Sequence, residues 1–123
     1  MLSRVAEKDE VGREGEQVAV DYLTERGYRV LDRNWRCRLG ELDIVALDGH
    51  ELVVVEVKSR RSTAFGDPLE GVTDEKLTRL CVLAGAWRRA HPRVRAASSR
   101  IDLVGVLLPK HGHPSVNHLR GAA

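Results

Sequence analysis

Two short runs of apolar, mostly β-branched residues near the middle of the chain predict a pair of adjacent strands. They extend from Leu42 to Leu47 and from Leu52 to Val57, and each has the length of a strand. Both faces of each run are mostly apolar, which is typical of central strands covered on each side. The intervening sequence Asp48-Gly49-His50 has the composition of a tight turn. The chain is therefore predicted to fold around a central hairpin.

Apolar residues at helical spacing predict one helix before this hairpin and one after it. The first is expected from Arg13 to Arg26, where Gly27 would end it. The second is expected to begin with Thr73 or Asp74 as its N-cap and to end before Pro92. Each helix has an apolar stripe that would pack on the sheet.

Three further apolar runs predict the remaining strands, whereas the first residues of the chain lack periodicity. Residues 1–11 are expected to form a flexible N-terminal segment, followed by a single domain over residues 12–123. The order α-β-β-β-α-β, with an extra edge strand at the end, predicts an α/β sandwich with a mixed central sheet. The additional strands are expected at Tyr28–Arg36, Ile101–Leu108 and, at the edge, Ser115–Leu119.

Three charged residues, Asp43, Glu56 and Lys58, interrupt the apolar pattern of the hairpin. With Gly49-His50 as a type II′ turn, Asp43 lies directly opposite Glu56. With Asp48-Gly49 as a type I′ turn, the two carboxylates are diagonal neighbours. Either register places both on one face together with Lys58, because strand side chains alternate with a period of two. A three-residue loop would separate the carboxylates unless a bulge intervened.

Two neighbouring carboxylates on a partly buried strand pair need an explanation, because opposed like charges are destabilising. One must keep a proton, or both must hold a cation. Hard oxygen ligands suit Mg²⁺ or Mn²⁺ rather than zinc, and Lys58 could then orient water or stabilise charge on a phosphoryl oxygen. Glu16, on the core-facing stripe of the first helix, also needs a partner. The structural alternatives are an ion pair at a strand end and, for Glu16, a surface position near the helix N-terminus.

The same residues resemble those of a known family. Asp43, a short hairpin and then Glu56-Val57-Lys58 resemble the PD-(D/E)xK nuclease signature, with Leu42 in place of the proline. The wider pattern is similar to the YraN family of small bacterial proteins, whose expected fold is related to that of Holliday-junction resolvases. The resemblance implies a restriction-endonuclease-like fold in which Asp43 and Glu56 bind Mg²⁺ or Mn²⁺, and in which Glu16 and Lys58 complete the catalytic site. It extends from about Gly12 to Val106 and includes Gly15-Glu16, Gly40-Glu41-Leu42-Asp43, Ser59-Arg60, Gly66-Asp67-Pro68, Lys76 and Asp102.

Composition narrows the class of protein without identifying a partner. The chain has 123 residues, 42% of them hydrophobic, which suits one domain with a core. No apolar run approaches the roughly 20 residues of a membrane span, and the N-terminus lacks the apolar region of a signal peptide. Cys37 and Cys81 lack the spacing of a disulfide framework or a zinc site. We therefore expect a cytoplasmic protein without a membrane partner.

The net charge of +2 is weak evidence for a nucleic-acid partner, but the basic residues are clustered. Such clusters could follow phosphates, although solvated faces explain each cluster equally well. Lys76 is expected to have an acidic or phosphate partner, because the dipole disfavours a cation in the first turn of a helix. The predicted nucleic-acid contacts are Arg60, Arg61, Lys76, Arg88 and Arg89, and Glu41 and Ser59 are expected to support the catalytic residues.

The expected activity is metal-dependent hydrolysis of phosphodiester bonds in DNA, including structured or branched DNA. Cutting both strands would require two such sites, as a homodimer provides. The alternative is a non-catalytic module that binds nucleic acid or recruits a partner while retaining the nuclease fold.

Overall fold

The computed structural model of the protein describes residues 4–64 and 66–123. Two helices and five strands follow one another along the chain in the predicted order. They are α1 (Arg4–Glu25), β1 (Arg29–Cys37), β2 (Gly40–Asp48), β3 (Glu51–Arg60), α2 (Asp74–Ala90), β4 (Ser98–Leu107) and β5 (Ser115–Leu119).

The strands form one mixed sheet in the order β1-β2-β3-β4-β5. Only β3 and β4 are parallel, and α2 provides the crossover that parallel neighbours require. One core cluster joins Ala19 and Leu23 of α1 to one face of the sheet. The other joins Leu83 and Trp87 of α2 to the opposite face. The prediction of a restriction-endonuclease-like α/β sandwich is therefore confirmed.

The central hairpin adopts the first of the two predicted registers. Asp48 pairs with Glu51 and Leu47 with Leu52, so the turn consists of Gly49 and His50. Gly49 has a φ of 60°, and His50 is not among the described residues with positive φ, which corresponds to a type II′ turn. The paired register ends at Ile44 and Val55, one residue before Asp43 and Glu56.

Helix α1 begins at Arg4, earlier than the predicted Arg13, so residues 4–11 are helical, and the flexibility of the segment stays a prediction. Residues 1–3 lie outside the described part. The segment contains no proline, and Val11 packs against the core cluster beneath α1, a contact that its periodicity did not reveal. The other end agrees with the prediction: Gly27 has a φ of 87°, and the Gly27 and Tyr28 N–H groups donate to the Thr24 and Leu23 carbonyls as in a Schellman motif.

Helix α2 begins as predicted, with Thr73 as its N-cap. The Thr73 hydroxyl accepts a hydrogen bond of 3.1 Å from the Lys76 N–H, and Asp74 and Glu75 place negative charge in the first turn. The helix ends at Ala90, two residues before Pro92. Neither helix in the described ranges is long and apolar enough to cross a membrane.

Asp102 is a structural residue with several hydrogen-bond partners. Its fully buried carboxylate accepts from Arg100 Nε at 2.9 Å, Tyr28 Oη at 3.2 Å and the Gly121 N–H at 3.0 Å. His118 Nε2 lies 2.7 Å from the same carboxylate. Burial alone would raise the pKa of Asp102, but the hydrogen bonds from Arg100, Gly121 and His118 hold it below the usual value. This network attaches edge strand β5 to the rest of the sheet.

Candidate active site

Strands β2 and β3 separate at the end of the hairpin remote from the turn, and Asp43 lies where they part. The last pair of their ladder is Ile44 with Val55, whereas β2 remains paired with β1 as far as Gly40. Beyond the ladder, Asp43 Oδ2 accepts a hydrogen bond of 2.9 Å from the Val57 N–H. A side-chain oxygen thus takes the place of a main-chain acceptor and fixes the Asp43 carboxyl against β3.

The carboxyl groups of Asp43 and Glu56 meet at this fork. Burial raises the pKa of Asp43 to about 8, and the hydrogen bond with Glu56 and the negative charge of Glu56 act in the same direction. The hydrogen bond from Val57 opposes them. The Asp43 carboxyl therefore keeps its proton to a higher pH than an ordinary aspartic acid does.

Glu56 forms an ion pair with Lys76 of α2, the helix that packs on the face of the sheet opposite to α1. Its Oε2 lies 3.0 Å from Lys76 Nζ in the first turn of α2, and only 7% of the Glu56 side chain is exposed. Lys76 was predicted to have an acidic or a phosphate partner, and the structure shows an acidic one. The predicted role of Lys76 in nucleic-acid binding stays a prediction.

Lys58 and Asp43 line the same cavity, which has a volume of about 860 Å³. Among the side chains that the structure describes, residues 8–64 and 66–123, none of the ion pairs includes Lys58, so none of these acids neutralises its ammonium group. Glu56 is not part of the lining and lies behind Asp43. The lining residues that carry charge are Lys8, Asp9, Arg13, Glu16, Arg33, Arg36, Glu41, Asp43, Lys58 and Arg60.

Glu16 reaches the cavity from α1, as the stripe predicted, but it already has protein partners. Glu16 Oε1 accepts from Arg33 Nε at 3.0 Å and from Asn34 Nδ2 at 2.9 Å, and its side chain is 12% exposed. Asn34 has a φ of 52°, a left-handed conformation that asparagine tolerates better than most residues. Sequence reasoning missed both partners; an asparagine interrupting a strand was the available signal.

Close contact between the backbone of α1 at Gly15 and the Ser59 side chain near the end of β3 positions Glu16. A Cβ atom added at Gly15 would lie 1.7 Å from Ser59 Oγ and 2.6 Å from Ser59 Cβ. Only glycine therefore allows α1 to approach β3 this closely. Ser59 was predicted to support the catalytic residues, and its observed contact is with this helix.

The remaining predicted residues lie at different distances from the cavity. Glu41 lines it and pairs with Arg36 at 3.3 Å. Arg60 also lines it and is exposed, whereas Arg61 lies 3.8 Å from Glu14. Arg88 and Arg89 belong to the last turn of α2, roughly 18 Å along the helix axis from Lys76 at 1.5 Å per residue. The structure does not bring these two arginines to the cavity.

The acidic residues fit a cation that needs few protein ligands. No group of three or more His, Cys, Asp or Glu side chains suited to a metal ion occurs in the described part of the chain. Mg²⁺ retains several waters and commonly binds through one or two carboxylates. Asp43 and Glu56 supply two neighbouring carboxyls, and a divalent cation could replace the proton that the raised pKa of Asp43 retains.

Comparison with known proteins places the chain in a family. The model of the family described as "Uncharacterised protein family UPF0102" matches residues 15–106, which include every predicted catalytic residue. A UPF0102 protein of Kineococcus radiotolerans is 54% identical over 122 residues, which are 99% of this chain and 100% of that protein. One from Arthrobacter sp. is 54% identical over 114 residues, 93% and 96% of the two chains. UPF0102 protein SCO5602 of Streptomyces coelicolor is 54% identical over 114 residues, 92% and 88% of the two chains. As its resemblance to YraN-type proteins predicted, this chain belongs to the UPF0102 family.

Proposed function

We propose that this protein is a divalent-metal-dependent nuclease that hydrolyses phosphodiester bonds in DNA, and that it acts in the cytoplasm. One observation carries the proposal: Asp43, whose carboxyl is hydrogen-bonded to that of Glu56, lines an open cavity together with Lys58, which has no ion-pair partner among the described side chains. A protein that needed these residues only for stability would pair the lysine with the acids.

The acidic pair would hold the metal. Asp43 and Glu56 would bind Mg²⁺ or Mn²⁺, and Asp43 would release its proton on binding. When bound, such an ion polarises the phosphoryl group and lowers the pKa of a bound water. The hydrogen bond of 2.9 Å from the Val57 N–H to Asp43 Oδ2 keeps the Asp43 carboxyl oriented.

Lys58 would act on the phosphate. Lys58 lines the same cavity as Asp43, so its ammonium group could donate hydrogen bonds to a phosphoryl oxygen or to the attacking water. A fixed donor aimed at developing charge stabilises the transition state more than the ground state. Glu16 would remain bound to Arg33 and would influence Asp43 through its negative charge, which also raises the pKa of Asp43.

Basic residues at the cavity rim would follow the DNA backbone. Lys8, Arg13 and Arg60 are exposed and line the same cavity, so they could contact phosphates on either side of the scissile bond. Cutting both strands of a duplex would require a homodimer that presents two cavities.

A non-catalytic nucleic-acid-binding module is the second candidate, and the ion pairs favour it. Glu56 is paired with Lys76, and Glu16 with Arg33, so two of the acidic residues are neutralised without a metal. Such a protein would bind nucleic acid at the basic rim and would leave it intact.

The test compares cleavage with binding in matched lysine variants. Labelled duplex, flap, junction and single-stranded DNA, with an RNA strand for comparison, are incubated with excess protein in Mg²⁺, Mn²⁺ or EDTA. Lys58→Ala should slow single-turnover cleavage by roughly a hundred- to a thousandfold, as expected for the loss of about 3–4 kcal/mol at the transition state. Its DNA affinity in Ca²⁺ should fall only modestly, because one phosphate contact among several is lost.

Lys110→Ala is the matched control, because this exposed lysine lies outside the cavity lining. It should cleave at the wild-type rate. Binding by the wild type without metal-dependent cleavage of any substrate would reject the nuclease in favour of the non-catalytic module.

A further inference from the structure

Lys76 lies where the local structure of its own helix disfavours a cation. It belongs to the first turn of α2, where the N-terminal end of the helix dipole is positive. Asp74 and Glu75 are both exposed and would be available as partners in the same turn. Lys76 Nζ instead lies 3.0 Å from Glu56 Oε2, on the central strand β3.

The two ends of this ion pair differ in their access to solvent. The Glu56 side chain is 7% exposed and the Lys76 side chain 36%. Glu56 therefore depends on Lys76 for charge compensation, because a buried carboxylate without a cation is unfavourable. Lys76 can move into solvent at much smaller cost, because its stem is flexible and its head is already partly hydrated.

A divalent cation at Glu56 would compete with the Lys76 ammonium group, which lies 3.0 Å from Glu56 Oε2. A Mg²⁺ ligand distance is about 2.0–2.1 Å, and the ion carries its own waters. An ammonium group hydrogen-bonded to the same carboxylate would compete for its lone pairs and would repel the divalent charge. The ion pair and the metal complex are thus alternative states of Glu56.

We propose that Lys76 is a tethered counter-ion, which neutralises Glu56 in the metal-free protein and is displaced when a divalent cation binds to Asp43 and Glu56. This inference rests on the proposed metal site and assigns Lys76 a role within it. Lys76 sets the affinity for the metal and keeps the site closed to weaker cations. It is a positioning residue, because it acts through Glu56 and not on the substrate.

Removal of the ammonium group should have opposite effects on the two states. Without metal, Lys76→Met should lower the melting temperature, because Glu56 loses its counter-ion. With metal, the variant should bind more tightly, because no protein cation has to be displaced. We expect Mn²⁺ affinity to increase about tenfold, equivalent to about 1.4 kcal/mol, and the rise in melting temperature at saturating Mn²⁺ to exceed that of the wild type.

The experiment is a Mn²⁺ titration followed by the electron paramagnetic resonance signal of the free ion, at one fixed pH and ionic strength. Lys76→Arg should bind Mn²⁺ no more tightly than the wild type, because a guanidinium also pairs with a carboxylate. Lys110→Met is the control for the loss of one positive charge, since Lys110 is exposed on the segment between β4 and β5. It should match the wild type within about twofold.

The outcomes separate this inference from the proposed function. The tethered counter-ion is supported if Lys76→Met binds Mn²⁺ more tightly than the wild type, whereas Lys76→Arg and Lys110→Met do not. Equal or weaker binding by Lys76→Met overturns it, yet leaves the proposed metal site standing if Asp43→Asn abolishes binding. Absence of Mn²⁺ binding by the wild type and by both Lys76 variants overturns the metal site and the inference together.

Discussion

Asp43→Asn tests the physical basis of the candidate site. Asparagine mimics the protonated aspartic acid: its oxygen can accept the hydrogen bond of 2.9 Å from the Val57 N–H, and its amide can donate to Glu56. It cannot ionise and therefore cannot repel Glu56. We expect the variant to fold, to be more stable than the wild type at neutral pH, and to lose the response to divalent metal.

The expected difference in stability between Asp43→Asn and the wild type follows from the difference between the folded and unfolded pKa values of Asp43. The pKa is about 8 in the folded protein against an ordinary value of 3.8. Between these values the folded protein retains a proton that the unfolded chain has lost, so wild-type stability falls as the pH rises. The fall approaches about 1.4 kcal/mol per pH unit. Asp43→Asn lacks this dependence, so its advantage should be absent below pH 4 and reach roughly 2–4 kcal/mol at pH 7.

Urea unfolding of both proteins at pH 4, 5.5 and 7 in EDTA measures this difference. Asp21→Asn serves as the control for the loss of one carboxylate, because Asp21 is exposed on α1. A parallel thermal scan should show that Mg²⁺ or Mn²⁺ stabilises the wild type and not Asp43→Asn. A pH-independent difference between the two proteins would refute the raised pKa of Asp43. Equal stabilisation by metal would place the ion elsewhere.

Two further predictions concern the scaffold around the site. Gly15→Ala should destabilise the protein by about 1–3 kcal/mol in urea unfolding, because its Cβ would lie 2.6 Å from Ser59 Cβ. Gly12→Ala, with no atom within 4 Å of its added Cβ, should instead stabilise α1 by about 0.5–1 kcal/mol. Equal changes in stability for the two variants would refute the role of the contact between Gly15 and Ser59. Asp102→Asn should cost about 3–5 kcal/mol at pH 7, because a buried network loses its anion. This penalty should shrink as the pH falls through the lowered pKa of Asp102, and an undiminished penalty in acid would contradict the assignment.

The sequence alone was sufficient for the features that depend on neighbouring residues. The turn at Gly49-His50 was one of two predicted registers, because few residues adopt the positive φ that a type II′ turn requires. Thr73 was identified as a candidate cap and Pro92 as the end of α2 for similarly local reasons. The period of two along a strand predicted that Asp43 and Glu56 would lie close together. Their carboxyl groups do meet, although the alternation is interrupted at Asp43, since Leu42 and Ile44 pack on opposite faces of the sheet.

Only the tertiary structure determined which charges are paired at the site. Glu56 meets Lys76 because α2 crosses the sheet on that side, and Glu16 meets Arg33 because Gly15 allows α1 to approach β3. Charge pairing depends on distances of a few ångströms between elements, and the spacing of residues along the chain does not encode those distances.

The start of α1 and the contact of His118 with Asp102 also depend on tertiary structure. Residues 4–11 have little apolar periodicity, yet they are helical and Val11 contacts the core. His118 lay in a short edge strand with no acidic neighbour in sequence, and it is 2.7 Å from the Asp102 carboxylate. The sequence determined the elements and the turn of the central hairpin, because backbone conformation is a local property. The packing of the elements determined which acids are neutralised by the protein and left Lys58 without an ion-pair partner among the described side chains, because burial and charge compensation arise only when distant segments meet.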